Sequence, residues 1–259
     1  MTINPDNHAS RYSQTEWQMR VDLAACYRLA DMFGFSDIVW NHITAKVPGT
    51  ECFLINRFGL RYDEVTASNL ITVDLHGEII DVGTGSSNDE LDNKDINITG
   101  FVIHSAIHAA RPDVHCVMHS HSSAGLAVSV LKSGLIPMVQ DALPFHNRIA
   151  YHDYEGISMD PTERERLATS LGDNMSMILR NHGLLTCGAT VGEAFMMMYY
   201  LERACKVQLQ VLATGQEYSL PDDDLCEKAS RQYAHFQPGK YEWPALLRLV
   251  EKQSPDFRD

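Results

Sequence analysis

The sequence has no excess of positive charge and no long apolar run. Its 259 residues include 21 lysines and arginines against 34 aspartates and glutamates, which gives a formal net charge of −13. A nucleic-acid surface needs a basic stripe, so we expect no nucleic-acid partner. No apolar run reaches the ~18 residues of a membrane-spanning helix, and the polar N-terminus lacks the apolar segment of a secretory signal. We expect a soluble protein without a membrane partner.

Cysteine pairs at metal-binding or redox spacing are also missing. The six cysteines are scattered, with no CxxC pair, and most of them lie in apolar segments. This pattern is typical of reduced, buried thiols and not of a disulfide framework. It predicts a cytoplasmic protein.

The chain divides by composition into three parts. Residues 1–14 are polar and form an expected N-terminal arm, residues 15–215 carry the regular patterns, and residues 216–259 form a more polar tail. A main part of this length can bury one large core. We expect the tail to pack on this domain or on a neighbouring subunit.

Helical and strand patterns alternate through residues 15–215. Apolar residues recur at helical spacing in five segments, at 15–32, 99–110, 124–131, 161–171 and 191–212. Shorter extended segments, bounded by turn residues, are expected at 40–47, 52–56, 70–75, 78–82, 175–179 and 184–187. Several of them are close enough in sequence to form hairpins. The pattern predicts one α/β domain with a mainly antiparallel central sheet and flanking helices.

Two histidines lie at the end of an apolar strand predicted at residues 114–119, one as its last residue and one two residues later. Side chains two residues apart on a strand point to the same face, so His119 and His121 should project side by side. Neutral imidazole is a ligand for zinc, iron, copper or nickel. Two surface histidines at a strand end would give the same pattern, so this spacing alone leaves both interpretations open.

A third histidine lies in a turn after the next apolar strand. His182 precedes Gly183, which permits a tight backbone turn. If the two strands are neighbours in one sheet, His182 approaches His119 and His121. Three histidines with an open coordination position are the ligand set of a catalytic zinc.

Two further histidines lie on a predicted helix. His104 and His108 are four residues apart and therefore share one helical face. This spacing can hold a metal, but two such histidines are more often ordinary polar helix positions.

Four short motifs together resemble the class II aldolase/adducin family. They are NHIT at 41–44, RPD at 111–113, HSH at 119–121 and RNHGL at 180–184. The agreement extends over about residues 17–215. The resemblance implies a three-layer α/β/α sandwich, a homotetramer with active sites between subunits, and a small-molecule substrate. It also implies His119, His121 and His182 as ligands of Zn²⁺ or another divalent transition metal.

The sequence departs from the catalytic members at two places. The resemblance implies an acidic acid/base residue at the start of the helix over 99–110, but this position is Gly100, which cannot transfer a proton. One helical turn further, His104 is the best placed substitute and our candidate catalytic residue. The implied substrate-binding positions are Asn41, His42, Gly59 and Thr99.

Only two of these four positions remain similar to the implied phosphate pocket, namely Gly59 and Thr99. The hydroxyls and backbone amides that would bind a dianion are partly replaced by bulky or apolar groups. A non-phosphorylated hydroxy-carbonyl compound or keto acid is therefore the expected substrate.

Two functions follow from these observations. The first is an aldolase-type lyase, or a related epimerase or decarboxylase, that works through a metal-stabilised enediolate. The second is a non-catalytic, adducin-like binding or scaffold module that retains a metal site. The three histidines favour the first function, and Gly100 favours the second.

Overall fold

One eight-stranded sheet organises the protein. In a computed structural model, residues 9–84, 96–157 and 162–259 are described. The strand order is β4-β3-β2-β1-β5-β8-β7-β6, and all neighbouring pairs are antiparallel except β6 and β7. The strands are β1 His42–Lys46, β2 Phe53–Ile55, β3 Ile71–Val73, β4 Ile79–Asp81, β5 Cys116–Ser120, β6 Ala150–His152, β7 Ser176–Leu179 and β8 Gly183–Gly188. The predicted α/β class with a mainly antiparallel sheet is confirmed.

Seven helices of at least eight residues accompany the sheet in the described ranges. They are α1 Gln14–Met32, α2 Ile98–Ala110, α3 Ser123–Val130, α4 Glu163–Leu171, α5 Val191–Ala213, α6 Asp223–Phe236 and α7 Glu242–Gln253. None of these helices is long and apolar enough to cross a membrane. Residues 136–139, whose sequence also looks extended, form no strand, and a 3-10 turn at Gln140–Phe145 follows them.

Helices cover both faces of the sheet. On one face, α1 and α5 bury an apolar cluster that includes Ile43 of β1 and Met118 of β5. On the other face, α2 and α4 pack over a second cluster, which includes Val117 of β5 and Leu185 of β8. Burial on both sides gives the α/β/α layering and fixes strand register, because a one-residue slip would exchange the faces.

The C-terminal segment packs back on the body of the same chain. The backbone amide of Ala67 donates to the Phe257 carbonyl at 2.9 Å, and the Ser68 amide donates to the Asp259 carbonyl at 2.8 Å. Arg28 also pairs with the Asp256 carboxylate at 2.9 Å. Three segments lie outside the described residues: 1–8 of the expected arm, 85–95, and 158–161, which includes the first residue of the helix expected at 161–171.

Candidate active site

The pairing of β1 with β5 brings the predicted site residues together. In this antiparallel register His42 lies opposite His119, and Thr44 lies opposite Val117. Directly opposed residues share a face of the sheet. His42 and His119 therefore project on the same side, which is the side covered by α2.

His119, His121 and His182 form a compact cluster at the end of β5. One nitrogen from each ring lies within 4.8 Å of the others, and the Nε2 atoms of His119 and His121 are 2.9 Å apart. His119 is buried, whereas the other two side chains are partly exposed. The three residues that the sequence predicts as metal ligands are thus brought together by two backbone segments, the end of β5 and the turn before β8.

The turn between β7 and β8 places His182 beside His119 and His121. Asn181 and Gly183 flank His182 with φ angles of 58° and 156°, both in the region that favours glycine. A Cβ on Gly183 would lie 2.5 Å from the Ser120 carbonyl oxygen. Glycine is therefore required for the close approach of this turn to the end of β5.

The second nitrogens of two rings are held by hydrogen bonds. Nδ1 of His119 lies 2.9 Å from the Leu184 carbonyl oxygen, and Nδ1 of His121 lies 2.9 Å from a carboxylate oxygen of Asp37. Both partners accept, so each neutral ring donates from Nδ1 and leaves a lone pair on Nε2. Two lone pairs 2.9 Å apart repel each other unless a cation lies between them, and a divalent metal fits this donor set.

Burial keeps the rings of His119 and His182 neutral. Burial lowers the pKa of His182 to about 4 and holds the pKa of His119 well below its usual range, with neighbouring histidines acting in the same direction. Neutral imidazole is the form that binds a metal. The cluster therefore presents ligating nitrogens at neutral pH.

Behind the cluster, four side chains form a buried hydrogen-bonded chain. Nδ1 of His42 lies 2.8 Å from Nε2 of His104, and Nδ1 of His104 lies 2.6 Å from the hydroxyl oxygen of Thr44. The same hydroxyl lies 2.8 Å from Nε2 of His108. His104 and His108 therefore face the sheet and are fully buried, unlike ordinary polar helix positions. Hydrogen bonds to His42 and Thr44 on β1 allow these two histidines to be buried.

His42, and not His104, lies next to the three-histidine cluster. The His42 ring stacks on that of His119, with ring centroids 5.0 Å apart and planes 27° apart. A Cβ on Gly100 would lie 2.5 Å from Cδ2 of His42 and 3.0 Å from its Nε2. The His42 ring thus lies where a side chain at position 100 would begin. His104 reaches the cluster only through His42.

The other predicted substrate-binding positions make bonds within the protein. The Asn41 amide donates to the Phe35 carbonyl at 2.8 Å, and the Thr99 hydroxyl donates to Asn97 at 2.8 Å in the N-terminal cap of α2. Gly59 lies in the turn after β2 with a φ of 95°. The neighbouring Phe58 ring packs against the Trp40 ring, with ring centroids 5.5 Å apart.

Sequence reasoning missed two residues of the site, Asp37 and Thr44. Asp37, which orients His121, follows α1 in a segment without any periodic pattern. The Phe35 carbonyl, bonded by Ser120 at 3.0 Å, ties that segment to β5. Thr44 had a usable signal, because its spacing from His42 places both residues on one face of β1.

Comparison with known proteins assigns the family. The family model for the Class II Aldolase and Adducin N-terminal domain matches residues 21–209. An aldolase II superfamily protein from Pseudomonas syringae is 45% identical, with a TM-score of 0.87, and the match covers 96% of this chain and 98% of that one. L-fuculose 1-phosphate aldolase from Glaciozyma antarctica is 31% identical, with a TM-score of 0.82, and 94% and 93% are covered.

Adducins are also similar to this chain. Rat alpha-adducin is 46% identical over 256 residues, which cover 93% of this chain but only 34% of alpha-adducin. The similarity therefore concerns about a third of that longer protein. The family match and the relatives agree with the fold and the motifs. The chain belongs to the class II aldolase and adducin N-terminal domain family.

Proposed function

We propose that the protein is a divalent-metal-dependent carbon–carbon lyase that acts on a small, non-phosphorylated hydroxy-carbonyl compound or keto acid. The observation that carries the proposal is the three-histidine cluster, in which hydrogen bonds at His119 and His121 leave both Nε2 atoms facing each other. Three protein ligands with room for a substrate are typical of a catalytic metal, whereas structural zinc usually has four.

His119, His121 and His182 are the residues that would hold the metal. When bound, a divalent ion such as Zn²⁺ supplies a Lewis acid that stabilises negative charge on a substrate oxygen. The chain itself contributes the orientation of the ligands. Asp37 fixes His121, and the Leu184 carbonyl fixes His119, so both rings keep one tautomer.

The substrate class follows from the polar groups around the cluster. Asn41 donates one of its two amide N–H groups to the Phe35 carbonyl, and Thr99 donates its hydroxyl proton to Asn97, so fewer donors remain for a phosphate dianion. His42 spends Nδ1 on His104. The name of the Glaciozyma antarctica relative gives a sugar phosphate as the substrate of that protein. For this chain, we propose a substrate without the phosphate.

Apolar residues around the site support a homo-oligomer, which we propose to be a cytoplasmic tetramer. Ile38 and Ile157 are exposed by 70% and 73%, and the neighbouring Trp40 and Tyr154 are more than half exposed. Tyr154 approaches His182, with ring centroids 6.4 Å apart. Such a patch favours a neighbouring subunit over open solvent.

A second candidate function is an adducin-like binding module. Gly100, which stands where the acidic residue is expected, and the similarity to alpha-adducin favour it. The hydrogen-bonded second nitrogens of the metal cluster favour the enzyme, since a binding surface has no need of oriented metal ligands.

Metal content and turnover of the same samples test the proposal. Wild type and His119→Ala would be compared, with His235→Ala as the control because His235 is exposed on α6. Each would be screened for cleavage of matched hydroxy-carbonyl compounds with and without a phosphate. We expect one metal per chain and phosphate-independent turnover in wild type and in the control, and neither in His119→Ala.

Other outcomes contradict the proposal. Stoichiometric metal without turnover would favour the binding module, and turnover of phosphorylated compounds alone would overturn the substrate class. Wild type that binds no divalent metal would remove the basis of the proposal.

A further inference from the structure

His121 lies just beyond the last paired residue of β5. The register of β5 with β8 ends at Ser120, which lies opposite Leu184. Sheet pairing therefore includes His119 but does not extend to His121. The chain then turns directly into α3, which begins at Ser123. The position of the His121 side chain thus depends on the contacts that hold the start of α3.

A buried carboxylate from α5 holds the start of α3. Glu202 is only 8% exposed, and its Oε2 accepts from the Ser122 hydroxyl at 2.5 Å and from the Gly125 amide at 3.0 Å. Ser122 immediately follows His121, and Gly125 is the third residue of α3. The carboxylate therefore connects the backbone next to His121 to a helix that lies far along the chain.

Glu202 accepts a hydrogen bond that the capping residue of α3 would ordinarily accept. A serine at the start of a helix usually accepts from an amide of the first turn through its own hydroxyl. Ser122 occupies that position but makes no such bond, and its hydroxyl donates to Glu202. The Gly125 amide donates to Glu202 as well. Because Ser122 can cap the helix by itself, capping alone does not explain the glutamate.

The carboxylate is an unfavourable group to bury at this place. Burial raises the pKa of Glu202, while hydrogen bonds from Ser122 and Gly125 act against the rise. A buried charge is destabilising unless it is well paired, and an apolar residue on α5 would pack without that penalty. The specific contribution of the glutamate is that it fixes Ser122 relative to α5.

Ser122 is held at its amide as well as at its hydroxyl. The Ser120 hydroxyl accepts from the Ser122 amide at 3.1 Å and donates to the Phe35 carbonyl at 3.0 Å. Asp37, two residues after Phe35, orients the His121 ring. The turn is therefore held from two sides. The segment that contains Asp37 fixes the ring, and α5 fixes the backbone that carries it.

We infer that Glu202 is a positioning residue for the metal site, and that it acts on His121 through Ser122 and the start of α3. The inference rests on the metal binding in the proposed function and identifies a residue outside the cluster that maintains it. Without the carboxylate, the start of α3 is no longer tied to α5. His121 then loses part of the support that keeps its Nε2 next to that of His119.

Zinc affinity separates this role from simple stabilisation. Glu202→Met fills a similar space without an acceptor, and Ser122 can then cap α3 itself, so the fold should persist. Glu202→Gln keeps an oxygen that can accept from both Ser122 and Gly125. We expect Glu202→Met to bind zinc about 10-fold more weakly, the lower end of the loss typical of residues that support metal ligands. Glu202→Gln should stay close to wild type. Competition with a chelator measures both.

Glu193→Met is the matched control. Glu193 also lies on α5, and its carboxylate accepts from the Ala189 amide at 2.7 Å. Ala189 follows β8, at the end of that strand opposite to the turn with His182. The control therefore removes a comparable hydrogen bond away from the cluster and should keep wild-type zinc affinity. Equal losses of affinity in Glu193→Met and Glu202→Met, or wild-type affinity in Glu202→Met, would overturn the inference.

Amide hydrogen exchange in metal-free protein gives a second readout. We expect exchange at residues 121–125 to be faster in Glu202→Met than in wild type, and unchanged there in Glu193→Met. Ser122→Ala keeps the bond between Glu202 and Gly125, so it is a milder variant that should change both readouts in the same direction. It decides the question should Glu202→Met not fold.

The two readouts keep the inference separate from the proposed function. Unchanged exchange at residues 121–125 in Glu202→Met, with wild-type exchange also in Ser122→Ala, would overturn the inference and leave the proposed lyase intact. Wild type that binds no zinc would contradict the proposed function. The exchange measurement would then still decide whether Glu202 holds the backbone at His121.

Discussion

The two faces of β1 and β5 differ in composition although both are buried. On the face covered by α1 and α5, Ile43 and Met118 pack in an apolar core. On the face covered by α2, His42, Thr44 and His119 carry polar groups, and each is at most 2% exposed. Alternation along a strand is usually read as one buried and one solvated face. Here the polar face is buried against a helix that carries histidines of its own.

The difference shows how each face is stabilised. The apolar face gains from area removed from water and tolerates any shape that fills the space. The polar face must satisfy each nitrogen and hydroxyl with a partner, because an unpaired buried group costs about 1–3 kcal/mol. Specific pairing also fixes the direction of each ring. The apolar face thus provides stability, and the polar face fixes the orientation of side chains beside the three-histidine cluster.

Truncation on the apolar face should have the largest effect on stability. Ile43→Ala removes a fully buried side chain and leaves a cavity, so we expect the free energy of unfolding to fall by about 2–5 kcal/mol. Denaturant unfolding of metal-free protein measures the loss. Ile43→Val is the matched control, with an expected loss of about 0.5–1.5 kcal/mol. Equal losses for the two variants would contradict a closely packed face.

Loss of one hydroxyl on the polar face should have the next largest effect. Thr44→Val leaves nitrogens of His104 and His108 without their partner, at an expected cost of about 1–3 kcal/mol despite the similar shape. Thr44→Ser keeps the hydroxyl and should retain most of the stability. Unfolding in denaturant compares the two. A Thr44→Val protein as stable as wild type would show that these hydrogen bonds are dispensable.

The apolar face and the clustering of the three histidines were predictable from the sequence. Periodic patterns depend on burial, so α1, α2, α5 and most strands followed from apolar spacing. The pairing of His119 with His121 followed from strand geometry, and His182 from its turn. The ends of the chain were less predictable, because tertiary packing and not local pattern determines where the tail lies.

The polar face was predictable only in part. His104 and His108 share a helical face, but the spacing gives no sign that Thr44 and His42 meet them, because that contact depends on how α2 crosses β1. No sequence pattern indicated that Asp37 would bond to His121. Hydrogen bonds between distant segments are set by strand register and helix position, which the local pattern does not encode.

The outer support of the metal cluster should affect affinity more than stability. Asp37→Asn keeps an oxygen acceptor but removes the charge that orients and polarises His121, so we expect zinc affinity to fall about 10–100-fold. Competition with a chelator measures the change. Asp224→Asn, exposed on α6, is the control and should keep wild-type affinity. Wild-type affinity in Asp37→Asn would show that this carboxylate does not support the ligand.

The effect that is smallest at neutral pH concerns the pH dependence of stability on the polar face. Burial lowers the pKa of His108 to about 3 in the folded protein, against about 6.5 in the unfolded chain. Between these values the unfolded chain binds a proton that the folded protein does not, so stability falls as the pH falls. The slope from this one group is about 1.4 kcal/mol per pH unit.

His108→Gln tests this contribution, because glutamine can still bond to Thr44 but does not titrate. Unfolding of metal-free wild type and variant would be compared from pH 6.5 down to pH 4.5, where both native states persist. We expect the variant to lose less stability on acidification than wild type, with the difference growing steadily as the pH falls. Parallel pH profiles would mean that His108 is protonated equally in both states, and would contradict a neutral chain on this face.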